Sequence, residues 1–141
     1  VTSPDLQELT RRYPLPDGWA TPDPFDETVV VAPSEIRLSG LSTSGPRGEQ
    51  ATGSAGGEAA LARSYFELLE RVSILTAVRG PEGELELRDR DGRRVGAATR
   101  ARVFPESPRP DRFRHSLSSG VALHVTWAEA CDRALAELVE R

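Results

Sequence analysis

The sequence predicts a mixed α+β fold, with antiparallel strands packed on two pseudo-equivalent helices. Three observations lead there. From Glu58 to about Ala77, Leu61, Tyr65, Leu68, Leu69 and Val72 recur at helical spacing and form one apolar stripe. From Trp127 to Arg141 a second helical stretch follows Thr126, a residue type suited to an N-cap. Between them, Glu84-Leu85-Glu86-Leu87-Arg88 alternates as a strand does, Arg90-Asp91-Gly92 turns the chain, and Arg94-Val95-Gly96-Ala97 returns it.

The other elements are weaker. Leu6, Leu9 and Tyr13 have the spacing of a short helix, with Ser3 or Asp5 as caps. Pro14, Pro16, Pro22 and Pro24 then argue against regular structure, so residues 1–28 read as an arm and linker, anchored by Trp19 and Phe25. The acidic run Asp23-Pro24-Phe25-Asp26-Glu27 reads as solvated linker. Val29-Val30-Val31 reads as a short buried strand and Ile36-Arg37-Leu38 as a second. Ser39 to Gly57 is rich in Gly, Ser and Thr and reads as a loop, of a composition that linkers and phosphate-contacting loops share. Gly80-Pro81 ends the first long helix. Pro105, Pro108 and Pro110 mark another loop, and Arg112 to Leu117 alternates as a further strand.

Composition narrows the function classes. The 141 residues suffice for one domain with one core. A formal net charge of −4 disfavours a general nucleic-acid binder. There is no lysine and no methionine, and Arg, Ala, Gly and Pro are abundant, the composition of high-GC bacterial coding. No apolar run is long enough to span a membrane, and the N-terminus lacks the layout of a signal peptide, so the cytoplasm is the expected location. Cys131 is the only cysteine, which excludes an intrachain disulfide. Cys131, His115 and His124 do not follow a zinc-ligand spacing. A histidine flanking residues 116–120 has the pKa range of a general base, although a structural role is the plainer alternative. No P-loop, dinucleotide fingerprint or Ser-His-Asp order is present.

The two long helical stretches can be laid over each other by a shift of about 70 residues, a period to be tested as an internal duplication. Glu67-Leu68-Leu69-Glu70-Arg71 falls on Glu137-Leu138-Val139-Glu140-Arg141, Ala60 on Ala130, Arg63 on Arg133 and Leu61 on Cys131. Each helix thus carries E-x-x-E-R in its C-terminal half. Residues three apart share a helix face, so Glu67 and Glu70 point one way, as do Glu137 and Glu140. Carboxylates gathered in this manner suit a hard cation such as Mg²⁺, with Arg71 and Arg141 suited to phosphate. The competing reading is structural: Glu67–Arg71 and Glu137–Arg141 are also favourable i,i+4 pairs of solvated helix faces.

These segments resemble the YcaO family. The first is Thr52-Gly53-Ser54-Ala55-Gly56, then Ala62-Arg63-Ser64-Tyr65-Phe66-Glu67-Leu68-Leu69-Glu70-Arg71. The second is Ser116-Leu117-Ser118-Ser119-Gly120-Val121-Ala122, then Trp127-Ala128-Glu129-Ala130 and Glu137 to Arg141. The resemblance covers about Val31 to Arg141 and implies an N-terminal portion of such a domain over residues 29–141. It implies ATP and Mg²⁺ as cofactors and amide activation on a ribosomal precursor peptide, giving azolines from Cys, Ser or Thr, or thioamides. It further implies that Glu67, Glu70, Glu137 and Glu140 hold the Mg²⁺-nucleotide, that Glu129 supplies a further acidic position, and that Arg141 contacts phosphate. The expected partners are the precursor peptide, a leader-recognising protein, and the remainder of the domain or a second copy. Arg63 stands where relatives often have Ser, Ser119 where they have Asn, and His124-Val125 where a Gly-Asn step is common. A complete domain continues beyond the second E-x-x-E-R, which leaves an alternative of another class: a silent, truncated or split fragment that binds a peptide or completes a partner chain.

Overall fold

The computed structural model describes residues 5–31, 33–78, 83–103 and 120–140. The chain forms two compact units, Val1–Ser73 and Ile74–Arg141. Its described residues give a mixed α+β fold, as expected, and divide the strands between two antiparallel sheets.

In the first unit, α1 spans Leu6–Arg12. Asp5 caps it, its side chain accepting the Glu8 N–H at 2.8 Å; Ser3 lies outside the described residues. β1 (Asp23–Val31), β2 (Ser34–Ser44) and β3 (Gln50–Gly56) form a sheet in that order. Two expectations fail here. The Gly/Ser/Thr-rich stretch is not a loop: Leu38 to Ser44 pairs in register with Gly56 to Gln50. The acidic run is not a linker: Asp23 to Glu27 pairs with Ser42 to Leu38.

Both failures have physical causes. α2 (Ala60–Val78) presses directly on β3. A Cβ on Gly53 would sit 2.1 Å from the Ser64 carbonyl oxygen and 2.6 Å from the Leu68 nitrogen. Only a residue without a side chain allows backbone to meet backbone so closely. The small residues therefore serve contact with α2, and the β2–β3 turn is made by Gly45 to Glu49. There the buried Glu49 carboxylate accepts the Arg47 N–H at 2.8 Å. β1 tolerates Pro24 because it is an edge strand, where a missing N–H breaks no ladder bond.

Burial alternates along β2 and β3 as a one-sided sheet requires: Leu41, Thr43, Ala51 and Gly53 are buried on one face. Above it, Tyr65, Leu68 and Val72 of α2 are fully buried, while Leu61 and Leu69 are half-buried. Ser64 joins helix to sheet by donating to the Ser39 carbonyl at 2.6 Å. On the opposite face the Phe25 ring lies over Gly40. Val29 and Val30 of β1 are less buried than expected, Val29 half-buried and Val30 69% exposed. α2 begins two residues later than the periodicity suggests, because Gly57 (φ 78°) and Ala59 (φ 57°) take left-handed conformations. Gly80-Pro81 lies outside the described residues.

In the second unit, β4 (Glu84–Arg88) and β5 (Arg94–Thr99) form the expected hairpin. Its turn is held by the Asp89 carboxylate, which accepts the N–H groups of Asp91 and Arg93 at 3.0 and 2.9 Å. One helical turn, α3 (Arg100–Val103), follows directly. α4 spans Trp127–Val139 with Thr126 as N-cap, as expected. Trp127 is half-exposed and acts as a latch, its Nε1 donating to the Asp89 carbonyl at 2.7 Å. Beside it Arg90 donates twice to the Asp132 carboxylate, at 2.7 and 2.8 Å. The proline-rich segment 105–110 and the strand expected at Arg112 to Leu117 lie outside the described residues.

Thr126→Ala removes the α4 cap and is expected to cost about 1 kcal/mol of helix stability. The loss should appear as reduced far-ultraviolet helicity and a lower urea midpoint; unchanged values would deny the cap any energetic part.

Candidate functional site

The first E-x-x-E-R lies on α2 beside β3. Glu67 and Glu70 stand three residues apart within the helix, on one side of it as expected. Glu67 is held at both oxygens: Oε2 accepts the Ser54 N–H at 2.8 Å and Oε1 accepts from Arg71 Nη2 at 2.6 Å. Arg71 Nη1 in turn donates to the Thr52 carbonyl at 2.5 Å. Carboxylate and guanidinium together therefore satisfy one N–H and one C=O on the outer edge of β3, as a neighbouring strand would. Arg63 donates to the Gly56 carbonyl at 3.3 Å. Glu70 is half-buried.

The second motif lies on and just past α4. Glu137 is half-buried on the helix, and Glu140 is its C-cap, with its N–H donating to the Ala136 carbonyl at 3.0 Å. The helix thus ends at Val139 and does not run through the motif as expected. Helical backbone angles at Glu140 (φ −72°, ψ −11°) still keep its relation to Glu137. Arg141 lies outside the described residues.

Glu129, the further acidic position, belongs to the α4 cap. The Thr126 hydroxyl donates to Glu129 Oε2 at 2.6 Å, and the Glu129 N–H donates back to that hydroxyl at 3.3 Å. His124 Nδ1 stands 2.8 Å from the same carboxylate oxygen, an electrostatic approach without hydrogen-bond alignment. The Thr126 hydroxyl first, and His124 after it, hold the Glu129 carboxyl below the usual glutamate range. His115 lies outside the described residues. Cys131 is a half-buried free thiol on α4.

The two motifs lie in different units, and each is assembled within its own. Among the described residues no group of three or more His, Cys, Asp or Glu comes together as a metal cage. A Mg²⁺-nucleotide needs less, since Mg²⁺ commonly takes one or two carboxylates and completes its shell with phosphate and water. Each carboxylate oxygen has two lone-pair sites, so Glu67 keeps capacity after its two bonds. In donor chemistry the Glu67 carboxylate fits such a group.

Sequence reasoning missed the partners of the first motif. The Thr52 carbonyl and Ser54 N–H carry no side-chain signal; only the Thr-Gly-Ser string marks where the strand meets the helix. No known protein family, curated protein or solved structure matches the chain.

Proposed function

We propose that this chain is part of a YcaO-like enzyme that activates peptide amides with ATP and Mg²⁺ in a ribosomal peptide pathway, forming azolines or thioamides. The supporting observation is the recurrence of E-x-x-E-R, once within α2 and once running from the last turn of α4 past its end, one in each unit. When bound, Mg²⁺-ATP supplies the phosphoryl group that makes an amide oxygen a leaving group. The chain's residues bind and orient it. Each motif offers its own carboxylates to a cation, Glu67 and Glu70 in the first unit and Glu137 and Glu140 in the second, with Arg71 and Arg141 as the phosphate-contacting residues of each. Glu67 is already fixed by Ser54 and Arg71, so little side-chain freedom is lost when it binds. Glu129 keeps α4 capped. The precursor peptide, a leader-recognising protein, and the remainder of the domain or a second copy are the proposed partners.

A second reading is favoured by one observation. No residue of α4 is fully buried, and Leu135, Leu138 and Val139 are exposed. An amphipathic helix that buries so little suits a silent module that completes a partner chain.

Calorimetric titration of ATP with Mg²⁺ separates the two. The parent chain should bind, and a Glu67→Gln, Glu137→Gln double variant should lose that binding while keeping its melting transition. Absence of binding by the parent chain would leave the second reading in place.

A further inference from the structure

The outer edge of β1 has the chemistry of a docking strand. Its orientation follows from the grip on β3. Ser54 N–H and Thr52 C=O point away from β2, towards Glu67 and Arg71. Backbone groups alternate along an antiparallel strand, so Ala51, Gly53 and Ala55 face β2. Their partners Thr43, Leu41 and Ser39 face β3, which leaves Ser42, Gly40, Leu38 and Ile36 facing β1. Asp23, Phe25, Glu27 and Val29 are paired with those residues. Pro24, Asp26, Thr28 and Val30 therefore direct their backbone outward. Pro24, which has no N–H, falls in the outward set, the position where an edge strand accepts proline.

Past Pro24, the N–H and C=O groups of Asp26, Thr28 and Val30 form an open ladder without a backbone partner among the described residues. Asp26, Thr28 and Val30 are also exposed. An edge of this kind pairs with an extended chain.

Charge selects the occupant. Every charged residue of β1 is acidic: Asp23, Asp26 and Glu27. A second copy would supply only more of the same. Self-pairing centred on Asp26 sets carboxylate against carboxylate, and centred on Thr28 it sets Asp26 against Val30. A strand with Arg or Lys opposite Asp26 and Glu27, and a β-branched residue opposite Val30, satisfies both charge and packing. We propose that the β1 edge binds an extended peptide, basic in one half and apolar in the other, as a fourth strand of the sheet. This site is independent of the nucleotide reading.

The probe is a fluorescently labelled peptide with consecutive Arg residues in one half, to stand opposite Asp26 and Glu27, and Val alternating with Thr in the other. Anisotropy with the full chain should show binding, and the amide resonances of Asp26, Thr28 and Val30 should shift. N-methylating alternate peptide amides blocks the ladder without touching the protein and should weaken binding at least about tenfold. Thr28→Pro should do likewise, because the N–H it removes faces outward. Asp26→Lys with Glu27→Lys should transfer the preference to an acidic peptide. Absent binding, equal binding of the N-methylated probe, or occupation of the edge by a second copy in sedimentation would overturn the proposal.

Discussion

Gly53→Ala is expected to destabilise the first unit by about 3 kcal/mol, at the upper end for overpacking because the obstacle is backbone. The added methyl would lie 2.1 Å from the Ser64 carbonyl oxygen and 2.6 Å from the Leu68 nitrogen, and neither can move aside as a side chain does. Relief requires α2 to lift from β3. Lifting would loosen the Ser64–Ser39 bond and the grip of Glu67 and Arg71 on the strand edge. Urea unfolding followed by circular dichroism measures the loss. Gly83→Ala is the control, since a methyl there meets nothing within 4 Å. Equal midpoints for the two variants would show that the helix accommodates the methyl without cost.

Tyr65→Ala should cost a similar amount, about 3–5 kcal/mol by comparison with other buried aromatics. The ring is fully buried, packs edge-on to Phe66, and its hydroxyl donates to the Tyr13 carbonyl, which pins the segment after α1 onto α2. Tyr65→Phe keeps the ring and loses the bond, so it should cost about 1–2 kcal/mol. The phenol also predicts a pH effect. Burial raises its pKa above the ordinary value of 10.0. The folded state thus favours the neutral form, and this contribution is complete below pH 10 and lost as pH rises through the raised value. Melting temperatures should fall above pH 10 in the parent chain and fall less in Tyr65→Phe. Parallel profiles would place the alkaline sensitivity elsewhere.

Elements whose signal is local were legible in the sequence. The stripe of α2, the alternation around Asp89 to Arg93 and the Thr126 cap each depend on neighbours within a turn or two. Elements defined by distant contacts were not. Thr52-Gly53-Ser54 has the composition of a loop, and only the backbone of α2 explains why small residues form a strand there. The acidic, proline-containing run hid β1 because charge and proline are also how an edge strand is guarded. The same limit applies to the candidate site. Spacing placed Glu67 and Glu70 on one side of a helix, but the groups that engage Glu67 include a main-chain amide thirteen residues away, which spacing does not reveal. Glu129 was singled out by position alone, and its work as a cap partner showed only once Thr126 and His124 stood around it.

The Glu67–Arg71 clasp makes the three-stranded sheet one-ended. One margin is closed by side chains of its own unit, so growth proceeds only from the other. Fibres need two open margins on every unit, one to receive and one to offer. A further copy of this unit added at the open margin would leave only clasped margins outside, so the clasp ends any growth by copies of this chain at a pair.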